Sequence, residues 1–491
     1  MPRLRAYLLA ALAVVATIVV VVAVRTAAYE PPASEGLGDT PLAAAPAIDV
    51  ARAASRLAEA VRIRTVSHQD RSDNDWAEWD RLHAWLAETY PAVHSTFRRE
   101  RVAERTLVYT WPGSDPTLPP FVLLAHQDVV PVTPGTEADW KHPPFEGVIA
   151  DDAVWGRGSI DDKGSLVAIM ESLEALVVSG YVPRRTVILL AGHDEEAGGS
   201  GVRAAAAEWR ARGVKLDFAL DEGLAVVADF PLVDRPVALV GIAEKGYATL
   251  RITAPAKGGH SSSPPPETGV ETLAKAVLAI AGHPFPMRFR GPAADMVRTL
   301  APEASLPVRI AAANTWLFEP LLIWKTAATP AGAATLHTTI APTMLRGSPK
   351  ENVLPQDATA WINYRIAPQD SVASVMARAQ QATRHLDVEL AWEGPAYDPS
   401  PVSSTESEAW RIIGGLASDA GRFPVAPALV TATTDSRSLA GIARDIYRFQ
   451  PIVASMHEFE MIHGTNEHLR IANLERMTTF YSRLVATAAA R

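Results

Sequence analysis

The chain contains no cysteine among its 491 residues. Disulfides, thiolate nucleophiles and cysteine-type zinc sites are therefore excluded, and His, Asp and Glu remain as the available metal ligands. The chain also lacks a run of Lys or Arg, and its 46 basic residues are outnumbered by 55 acidic ones. Because nucleic-acid binding needs a basic surface, no nucleic-acid partner is expected. We expect a small substrate instead.

Two common motifs for metal and phosphate binding are absent as well. His457 and Glu458 are followed by the next histidine, His463, at a spacing of six, so no HExxH helix places two imidazoles on one face. The glycine-rich residues 156–164 have neither P-loop nor GxGxxG spacing. Acidic residues follow these glycines where backbone N–H groups would have to meet an anion. The sequence therefore argues against an HExxH-type protease and against a phosphate-binding loop.

The length of the chain favours two domains, because 491 residues exceed what one hydrophobic core normally supports. Hydrophobic residues make up 48% of the chain and can fill two cores. From about residue 48, short apolar runs alternate with segments of helical periodicity. This alternation predicts an α/β domain with a mostly parallel central sheet flanked by helices. Helices are predicted at residues 163–178 and 202–212, each closing at a glycine.

A different pattern begins near Lys245, where apolar and polar residues alternate as in a half-exposed antiparallel strand. Residues 244–398 are predicted to form a smaller α+β, ferredoxin-like domain. This domain interrupts the first one, which then comprises residues 48–243 and 399–491. Within the smaller domain we predict helices at 270–281 and 371–383 and strands at 334–341, 358–366 and 388–392.

The N-terminus carries a candidate membrane segment. Two arginines precede the uncharged residues 6–24, which as a helix would be about 28 Å long, close to the thickness of the apolar layer of a bilayer. The pattern predicts a membrane anchor in residues 1–28, with the rest of the chain extracytoplasmic. The alternative is a signal peptide that is cleaved near Thr26 and Ala28 to give a secreted protein. The Pro- and Ala-rich residues 29–47 are predicted to be a flexible linker.

A histidine and an aspartate follow the apolar residues 121–125. His126 and Asp128 are two residues apart, so in an extended chain their side chains face the same side. His126 could then bind a metal while Asp128 accepts the other ring N–H and fixes the tautomer. The alternative is a surface histidine beside an aspartate.

Further candidate ligands lie in turns that follow apolar or glycine-rich segments. Asp161 precedes a helix, where a carboxylate suits bridging two cations, although a helix N-cap is the alternative. Glu195 and Glu196 are adjacent, and adjacent carboxylates repel one another unless cations or protons intervene. One can bind metal while the other acts as general base; a solvated acidic turn is the alternative. Glu222 repeats this arrangement, and His463 lies in a turn near the C-terminus.

Taken in order, these motifs resemble the M20 metallopeptidase family, in particular its carboxypeptidase S-like branch, which includes secreted N-acyl-amino-acid hydrolases. The resemblance covers nearly the whole chain after residue 48. The matching segments are LLAHQDVVPV (123–132), WGRGSIDDKGS (155–165), GHDEE (192–196), LDEG (220–223), GGHSS (258–262), ENVLP (351–355), TTDSR (433–437) and HGTNE (463–467).

The resemblance implies two zinc ions per subunit with Asp161 as the bridging ligand. Glu195 would be the general base acting on a metal-bridging water. The peptide bond between Asp161 and Asp162 would be cis. The other ligands implied are His126 and Glu222 for one ion, and Glu196 and His463 for the other.

The resemblance also makes the inserted domain a lid and dimerisation domain. His260 would stabilise the tetrahedral oxyanion, either in its own subunit or in a neighbouring subunit of a homodimer. Arg437 would bind the terminal carboxylate of the substrate through its planar guanidinium, and Asn352 would belong to the substrate pocket. Without the resemblance, His260 would be interpreted as a surface loop residue, Arg437 as a solvated arginine and Asn352 as a backbone cap.

Residues 284–330 form a long apolar insertion within the predicted lid. Core packing is the simplest explanation for such a segment. The alternative is a hydrophobic pocket or a membrane-facing surface that receives an acyl chain. The large apolar residues of the insertion include Trp316, Phe318, Leu321, Leu322, Ile323 and Trp324.

The sequence therefore predicts a dinuclear zinc hydrolase that cleaves the amide bond before a C-terminal amino acid, in an N-acyl amino acid or a short peptide. An aminopeptidase or dipeptidase of the same clan is one alternative; Arg437 argues against an aminopeptidase, because a C-terminal carboxylate needs a cation. A non-catalytic solute-binding protein on the same fold is another. Such a protein would be expected to lack Glu195 or a metal ligand, and none is missing here.

Overall fold

The computed structural model of the chain describes residues 2–33, 36–38 and 40–490. Its α-helices are α1 (Pro2–Ala27), α2 (Val50–Val61), α3 (Trp76–Thr89), α4 (Pro91–Thr96), α5 (Lys163–Val178), α6 (Ser200–Ala211), α7 (Gly269–Ala281), α8 (Gly291–Leu300), α9 (Leu306–Ala313), α10 (Thr315–Thr326), α11 (Pro330–Leu336), α12 (Val372–Thr383), α13 (Glu408–Ala417) and α14 (Ile471–Ala488).

The strands of the same described residues are β1 (Arg98–Val102), β2 (Thr106–Trp111), β3 (Phe121–His126), β4 (Val148–Ala150), β5 (Ala153–Trp155), β6 (Val187–Gly192), β7 (Leu216–Val227), β8 (Val237–Glu244), β9 (Gly246–Pro255), β10 (Gly259–His260), β11 (Thr339–Arg346), β12 (Val353–Leu354), β13 (Asp357–Ile366), β14 (Glu389–Trp392), β15 (Val425–Val430), β16 (Ala443–Ala454) and β17 (His468–Arg470).

Eight strands form the central sheet, in the order β1-β2-β6-β3-β7-β16-β8-β15. Strands β6, β3, β7 and β16 are parallel neighbours, as are β8 and β15, whereas β1 and β2 add an antiparallel edge. The sheet is thus mixed, and the prediction of an α/β domain with a helix-flanked central sheet is confirmed. Three smaller sheets accompany it in the described residues.

Both faces of the central sheet are covered, which explains why its inner strands read as unbroken apolar runs. Every residue of β3 and β6 is buried. In β3, Phe121 and Leu123 join a large core with α2, α5, α13 and α14, whereas Val122 and Leu124 join a second core with α6 on the opposite face. Helix α5 has the predicted bounds, and α6 begins and ends within two residues of its prediction.

The second large sheet is antiparallel, with four strands in the order β11-β13-β9-β14. Helices α7 and α12 contribute Leu273, Ile280 and Val375 to the core that covers it. The strand predicted at residues 334–341 is wrong in its first part, because α11 extends to Leu336 and β11 begins only at Thr339. Helix α11 begins where the Thr329 side chain caps the backbone N–H of Gly332 and Pro330 occupies the first turn.

The described part of the predicted linker, residues 29–47, packs against the rest of the protein. Residues 34, 35 and 39 lie outside the described residues. The indole of Trp410 in α13 donates to the carbonyl of Ala33 at 2.9 Å. Leu37 lies against Gly414 so closely that a Cβ on that glycine would stand 2.5 Å from the leucine side chain. Apolar residues of this segment therefore cover α13, although the Pro- and Ala-rich sequence around them predicts a flexible linker.

Candidate metal centre

Strands β3, β6 and β7 bring the predicted metal ligands to one edge of the central sheet. His126 is the last residue of β3 and pairs with Gly192, the last residue of the parallel strand β6. Glu195 and Glu196 follow that glycine, and Glu222 lies in β7 on the other side of β3. Parallel strands end at the same edge of a sheet, where binding sites of α/β folds are usually found.

Asp161 lies at the centre of this group. One of its carboxylate oxygens, Oδ1, is 2.8 Å from Nε2 of His126, and Oε1 of Glu222 is 3.7 Å from the same nitrogen. The other oxygen, Oδ2, is 3.2 Å from Nε2 of His463, which lies 3.0 Å from Oε1 of Glu196. The structure thus brings all five predicted ligands together, with each oxygen of Asp161 facing a different imidazole.

The second ring nitrogen of His126 faces away from Asp161 and toward Asp128. It lies 2.9 Å from the backbone oxygen of Asp128 and 3.3 Å from its carboxylate Oδ1. Both are acceptors for a hydrogen on Nδ1, and with that tautomer Nε2 would be the nitrogen that binds a metal. The carboxylate of Asp128 also accepts the backbone N–H groups of Glu195 and Glu196 at 3.1 Å each. Asp128 therefore orients both the histidine and the adjacent acidic turn.

The carboxylates of the cluster carry more negative charge than the protein side chains around them balance. Burial and neighbouring carboxylates raise the pKa of Glu222 well above its ordinary value, and burial likewise raises that of Glu196. Hydrogen bonds to Asp161 and Glu196 raise the pKa of His463 to about 10. Burial opposes ionisation of Asp161, yet the two imidazoles hold its pKa well below the usual range. A set of three carboxylates and two imidazoles in this arrangement fits divalent cations, which would neutralise the excess charge.

The peptide bond between Asp161 and Asp162 is cis, as the resemblance implies. The carboxylate of Asp162 is fully buried and faces the protein: Oδ2 accepts the backbone N–H of His126 at 3.2 Å, and Oδ1 lies 3.3 Å from Nε2 of Gln450. Its oxygens also come within reach of an ion shared with His126 and Glu222. The oxygens of Asp162 thus already accept hydrogen bonds from the protein, whereas each oxygen of Asp161 faces an imidazole.

The sequence reasoning gave Glu467 no role, yet its buried carboxylate holds the turn that carries Asp161. Oε1 of Glu467 accepts the backbone N–H groups of Gly158, Ile160 and Asp161 at 3.0, 2.9 and 3.2 Å. Oε2 lies 2.6 Å from Nη1 of Arg157, and both side chains of this ion pair are at most 2% exposed. Glu467 is four residues after His463, so it connects the turns of two predicted ligands.

Asp435 is a second residue whose role the sequence did not reveal. It is the first residue of a 3-10 helix, Asp435–Leu439. Its carboxylate packs against the glycine-rich turn that follows Glu196. A Cβ on Gly199, whose φ is +65°, would lie 2.0 Å from Oδ1 of Asp435. Buried Asp221 and Glu244 accept the backbone N–H groups of Ser436 and Thr434, at 2.9 and 2.7 Å. These bonds anchor the segment that carries Arg437 beside the acidic turn.

Arg437 and Arg365 form a pair of cations without a salt bridge anywhere in the described part of the chain. The guanidinium of Arg437 lies 4.0 Å from the ring centroid of Tyr397, and that of Arg365 lies 4.9 Å from the ring centroid of Tyr247. The two tyrosines are joined by backbone hydrogen bonds of 3.0 and 2.7 Å. Burial, together with the nearby Arg437, lowers the pKa of Arg365. The resemblance predicts a role for Arg437 in binding the substrate carboxylate, whereas Arg365 reads in the sequence as an ordinary strand residue and was given no role.

His260 lies in the small sheet formed by β10 and β12, and Asn352 is the turn residue directly before β12. The backbone N–H of Ser261 donates to the carbonyl of Asn352 at 3.2 Å, and that of Ser262 donates to Nδ1 of His260 at 3.1 Å. His260 is exposed, whereas Oδ1 of Asn352 is buried without a hydrogen-bond partner. Within residues 2–33, 36–38 and 40–490, no hydrogen bond or ion pair joins either residue to the metal ligands.

Comparison with known proteins decides the family. Residues 122–487 match the peptidase family M20/M25/M40. The chain belongs to this family. It is therefore a metal-dependent enzyme of the metallopeptidase and amidohydrolase kind, as the motifs predict.

Its relatives span most of the chain. A probable carboxypeptidase S-like 2 of Dictyostelium discoideum is 35% identical over 441 residues, which is 88% of this chain and 84% of the relative. The N-fatty-acyl-amino acid synthase/hydrolase PM20D1 of Homo sapiens is 35% identical, over 87% of this chain and 86% of the relative. Carboxypeptidase S of Saccharomyces cerevisiae is 30% identical, over 85% and 80% respectively.

Solved structures support the fold. An M20 family metallo-carboxypeptidase from Sulfolobus solfataricus superimposes with a TM-score of 0.67 at 16% identity, covering 88% of this chain and 98% of its own. Human carnosine dipeptidase 1 superimposes with a TM-score of 0.62 at 14% identity, covering 90% and 96%. At these identities the likeness concerns the fold alone.

We expect Glu467→Gln to destabilise the protein by about 3–5 kcal/mol, because it leaves the buried Arg157 guanidinium without a countercharge. It should also lower metal content, since the turn that presents Asp161 loses its anchor. Chemical denaturation and metal analysis of purified protein measure both effects. Glu460→Gln is the matched control, because the Glu460 side chain is 76% exposed. Equal stability and metal content in the two variants would contradict the role of Glu467.

Proposed function

We propose that the enzyme is a dinuclear zinc hydrolase that cleaves the amide bond before a C-terminal amino acid in N-acyl amino acids or short peptides. The observation that supports it most is the position of Asp161, whose two oxygens face His126 and His463 at 2.8 and 3.2 Å. In this proposal His126, Asp161 and Glu222 hold one ion, and Asp161, Glu196 and His463 hold the other. Zinc suits this set, because it accepts imidazole and carboxylate ligands without a preferred redox state.

Bound zinc would polarise the scissile carbonyl and lower the pKa of a water molecule at the site. Glu195 is the remaining carboxylate of the acidic turn and makes no salt bridge among the described residues. Burial and the adjacent acidic groups raise its pKa well above the ordinary value, which suits a group that accepts a proton and later donates it to the leaving amine. We assign Glu195 as general base and Asp128 as the residue that holds it in place.

The unpaired guanidinium groups of Arg437 and Arg365 are the proposed site for the terminal carboxylate of the substrate. A planar guanidinium can donate two parallel hydrogen bonds to a carboxylate. Both cations lie against tyrosine rings, and neither makes a salt bridge in the part of the chain that the structure describes. This pair favours cleavage before a C-terminal residue over aminopeptidase activity. The names of the human and yeast relatives, an N-fatty-acyl-amino acid hydrolase and a carboxypeptidase, agree with this substrate class.

We further propose that His260 and Asn352 complete the site when the lid, residues 244–398, moves relative to the metal ligands. His260 lies in β10 and Asn352 directly before β12. Nε2 of His260 and Oδ1 of Asn352 have no hydrogen-bond partner among the described residues. His260 would then donate to the oxyanion that forms at the scissile carbonyl. The lid either closes over its own subunit or delivers His260 to the neighbouring subunit of a homodimer.

The N-terminal helix is relevant to the cellular compartment of the enzyme. Residues Arg3–Ala27 form one helix that is long and apolar enough to cross a membrane, and none of its apolar window is buried. We propose that it anchors the enzyme with its catalytic part outside the cytoplasm; a cleaved signal peptide followed by secretion is the alternative.

The assignment of the general base is tested by Glu195→Gln. The variant should keep both metal ions and lose on the order of 100- to 10,000-fold in kcat, because proton transfer is lost while the ligands remain. Metal analysis and hydrolysis of an N-acyl amino acid measure the two quantities. Glu100→Gln, in the exposed strand β1, is the control. Near-normal turnover by a metal-replete Glu195→Gln enzyme would refute the assignment.

The carboxylate site is tested by Arg437→Ala and Arg365→Ala. Each should lower kcat/KM by roughly ten- to a hundredfold for a substrate with a free carboxylate, the scale of a lost charged hydrogen bond. Hydrolysis of the same substrate as its C-terminal amide should change little. Arg422→Ala, a surface arginine, serves as control. Equal losses on acid and amide would remove both arginines from substrate recognition.

The lid assignment is tested by His260→Ala, which should lower kcat by about 100- to 1,000-fold with unchanged metal content. Mixing this variant with His126→Ala separates the two arrangements of the lid. Recovered activity in the mixture indicates that His260 acts on the neighbouring subunit, and no recovery indicates a self-contained site. Normal turnover of His260→Ala alone would contradict any role in oxyanion stabilisation.

A further inference from the structure

We propose that the helical insertion of the lid, α9 and α10, is a membrane-docking surface that sits in the lipid interface beside the N-terminal helix. This inference does not depend on the proposed reaction. Two hydrogen bonds join the end of α1 to residues 313 and 314, each across 288 positions of sequence. Nε of Arg25 donates to the carbonyl of Ala313 at 3.4 Å. Nδ2 of Asn314 donates to Oγ1 of Thr26 at 3.1 Å.

The chain that follows α1 is bound to α8, the helix that precedes α9. The hydroxyl of Tyr29 donates to the carbonyl of Arg298 at 2.7 Å. Oγ1 of Thr299 donates to the carbonyl of Pro32 at 2.9 Å. The end of α1 is therefore held against residues 313–314, and the residues after it against α8, by these four polar contacts. An anchor in the membrane would thus fix the insertion at the membrane surface.

Helix α10 presents an apolar stripe that no described residue covers. Trp316, Leu317, Leu321 and Trp324 are 54, 40, 50 and 70% exposed. Their spacing places them along one side of the helix over two turns. Leu322 is buried on the other side, against the core of the insertion. Large apolar side chains rarely form such a continuous exposed row on a soluble surface, and tryptophan is enriched where proteins meet the lipid interface.

Between α1 and the insertion lies an open apolar cleft of about 600 Å³. Its wall on the α1 side runs from Ile18 to Ala27, and Leu306, Ile310, Leu317 and Phe318 form much of the opposite wall. The cleft has almost no polar surface, so it is unfavourable for water to occupy it. Lipid acyl chains around α1 would fill the cleft without a further protein segment.

The depth of the contact also agrees with a lipid interface. If the apolar layer begins near Arg25, contact as far as Ile18 extends seven residues along α1, or roughly 10 Å at 1.5 Å per residue. Interfacial amphipathic helices bury their apolar face about 5–10 Å deep. The insertion therefore reaches the depth expected of a helix lying in the interface rather than one crossing the bilayer.

The charges around the stripe are suited to lipid phosphates. Residues 306–326 contain Arg309 and Lys325 but only one acidic residue, Glu319, and Arg25 lies at the end of the anchor. This basic excess contrasts with the net charge of −9 for the whole chain. Basic side chains beside an apolar face attract anionic headgroups. A bilayer containing anionic lipid is thus the occupant that the apolar stripe, the anchor and the charges favour together.

The absence of cysteine allows a direct test with the full chain. Single-cysteine variants Trp324→Cys and Leu321→Cys are labelled with an environment-sensitive fluorophore and reconstituted in vesicles of phosphatidylcholine and phosphatidylglycerol. Val178→Cys is the matched control, because Val178 is 73% exposed at the end of α5, far along the chain from the insertion. Circular dichroism confirms that each variant folds, and two labelled positions guard against the failure of one.

We expect blue-shifted emission from both α10 labels, quenching by lipids brominated on their acyl chains and protection from aqueous iodide. The Val178→Cys label should show none of these effects. If the α10 labels behave like the Val178→Cys label, the surface does not dock on a membrane. If they are protected from iodide but not quenched by brominated lipid, protein covers the stripe, as in a pairing of two chains, and the proposal is equally overturned.

Discussion

Carboxylates crowded beside the ends of β3 and β6 impose the constraint on which the site depends. Glu222 lies near His126, Glu196 lies near His463, and Asp161 lies near both imidazoles. Burial disfavours the ionised forms of the two glutamates. Such groups remain together only if protons or cations neutralise them. Two divalent ions would satisfy all of them at once, which is why metal binding, rather than proton sharing, gives the most economical account of the cluster.

The surrounding structure is organised to hold this repelling group in place. Glu467 ties the turn of Asp161 to the turn of His463, Asp128 supports the Glu195 turn, and Asp435 packs against Gly199. Each support accepts or approaches backbone groups, so its effect is positional. Because Glu467 and Asp128 accept hydrogen bonds from backbone N–H groups with buried carboxylates, loss of either one leaves unsatisfied groups in the protein interior. Ligand geometry and fold stability are therefore coupled at this edge of the sheet.

Much of the fold could be predicted from the sequence because its signals are local, and the order of the motifs indicated which residues come together at the candidate site. The unbroken apolar runs of β3 and β6 indicate strands covered on both faces, and glycine marks the end of α5. The roles of Glu467 and Arg365 could not be predicted, because they arise from contacts with residues far away in the chain. For Glu467 the partner Arg157 is 310 positions distant. The packing of α1 on the lid insertion is invisible in sequence for the same reason.

The central claim is that Asp161 bridges two metal ions, and anomalous diffraction from crystals of the zinc-loaded enzyme, recorded at the zinc absorption edge, tests it most directly. The account predicts two anomalous peaks per chain, one beside His126 and Glu222 and the other beside Glu196 and His463, with an oxygen of Asp161 directed at each. A single peak, or two peaks that share Asp162 instead of Asp161, would contradict it.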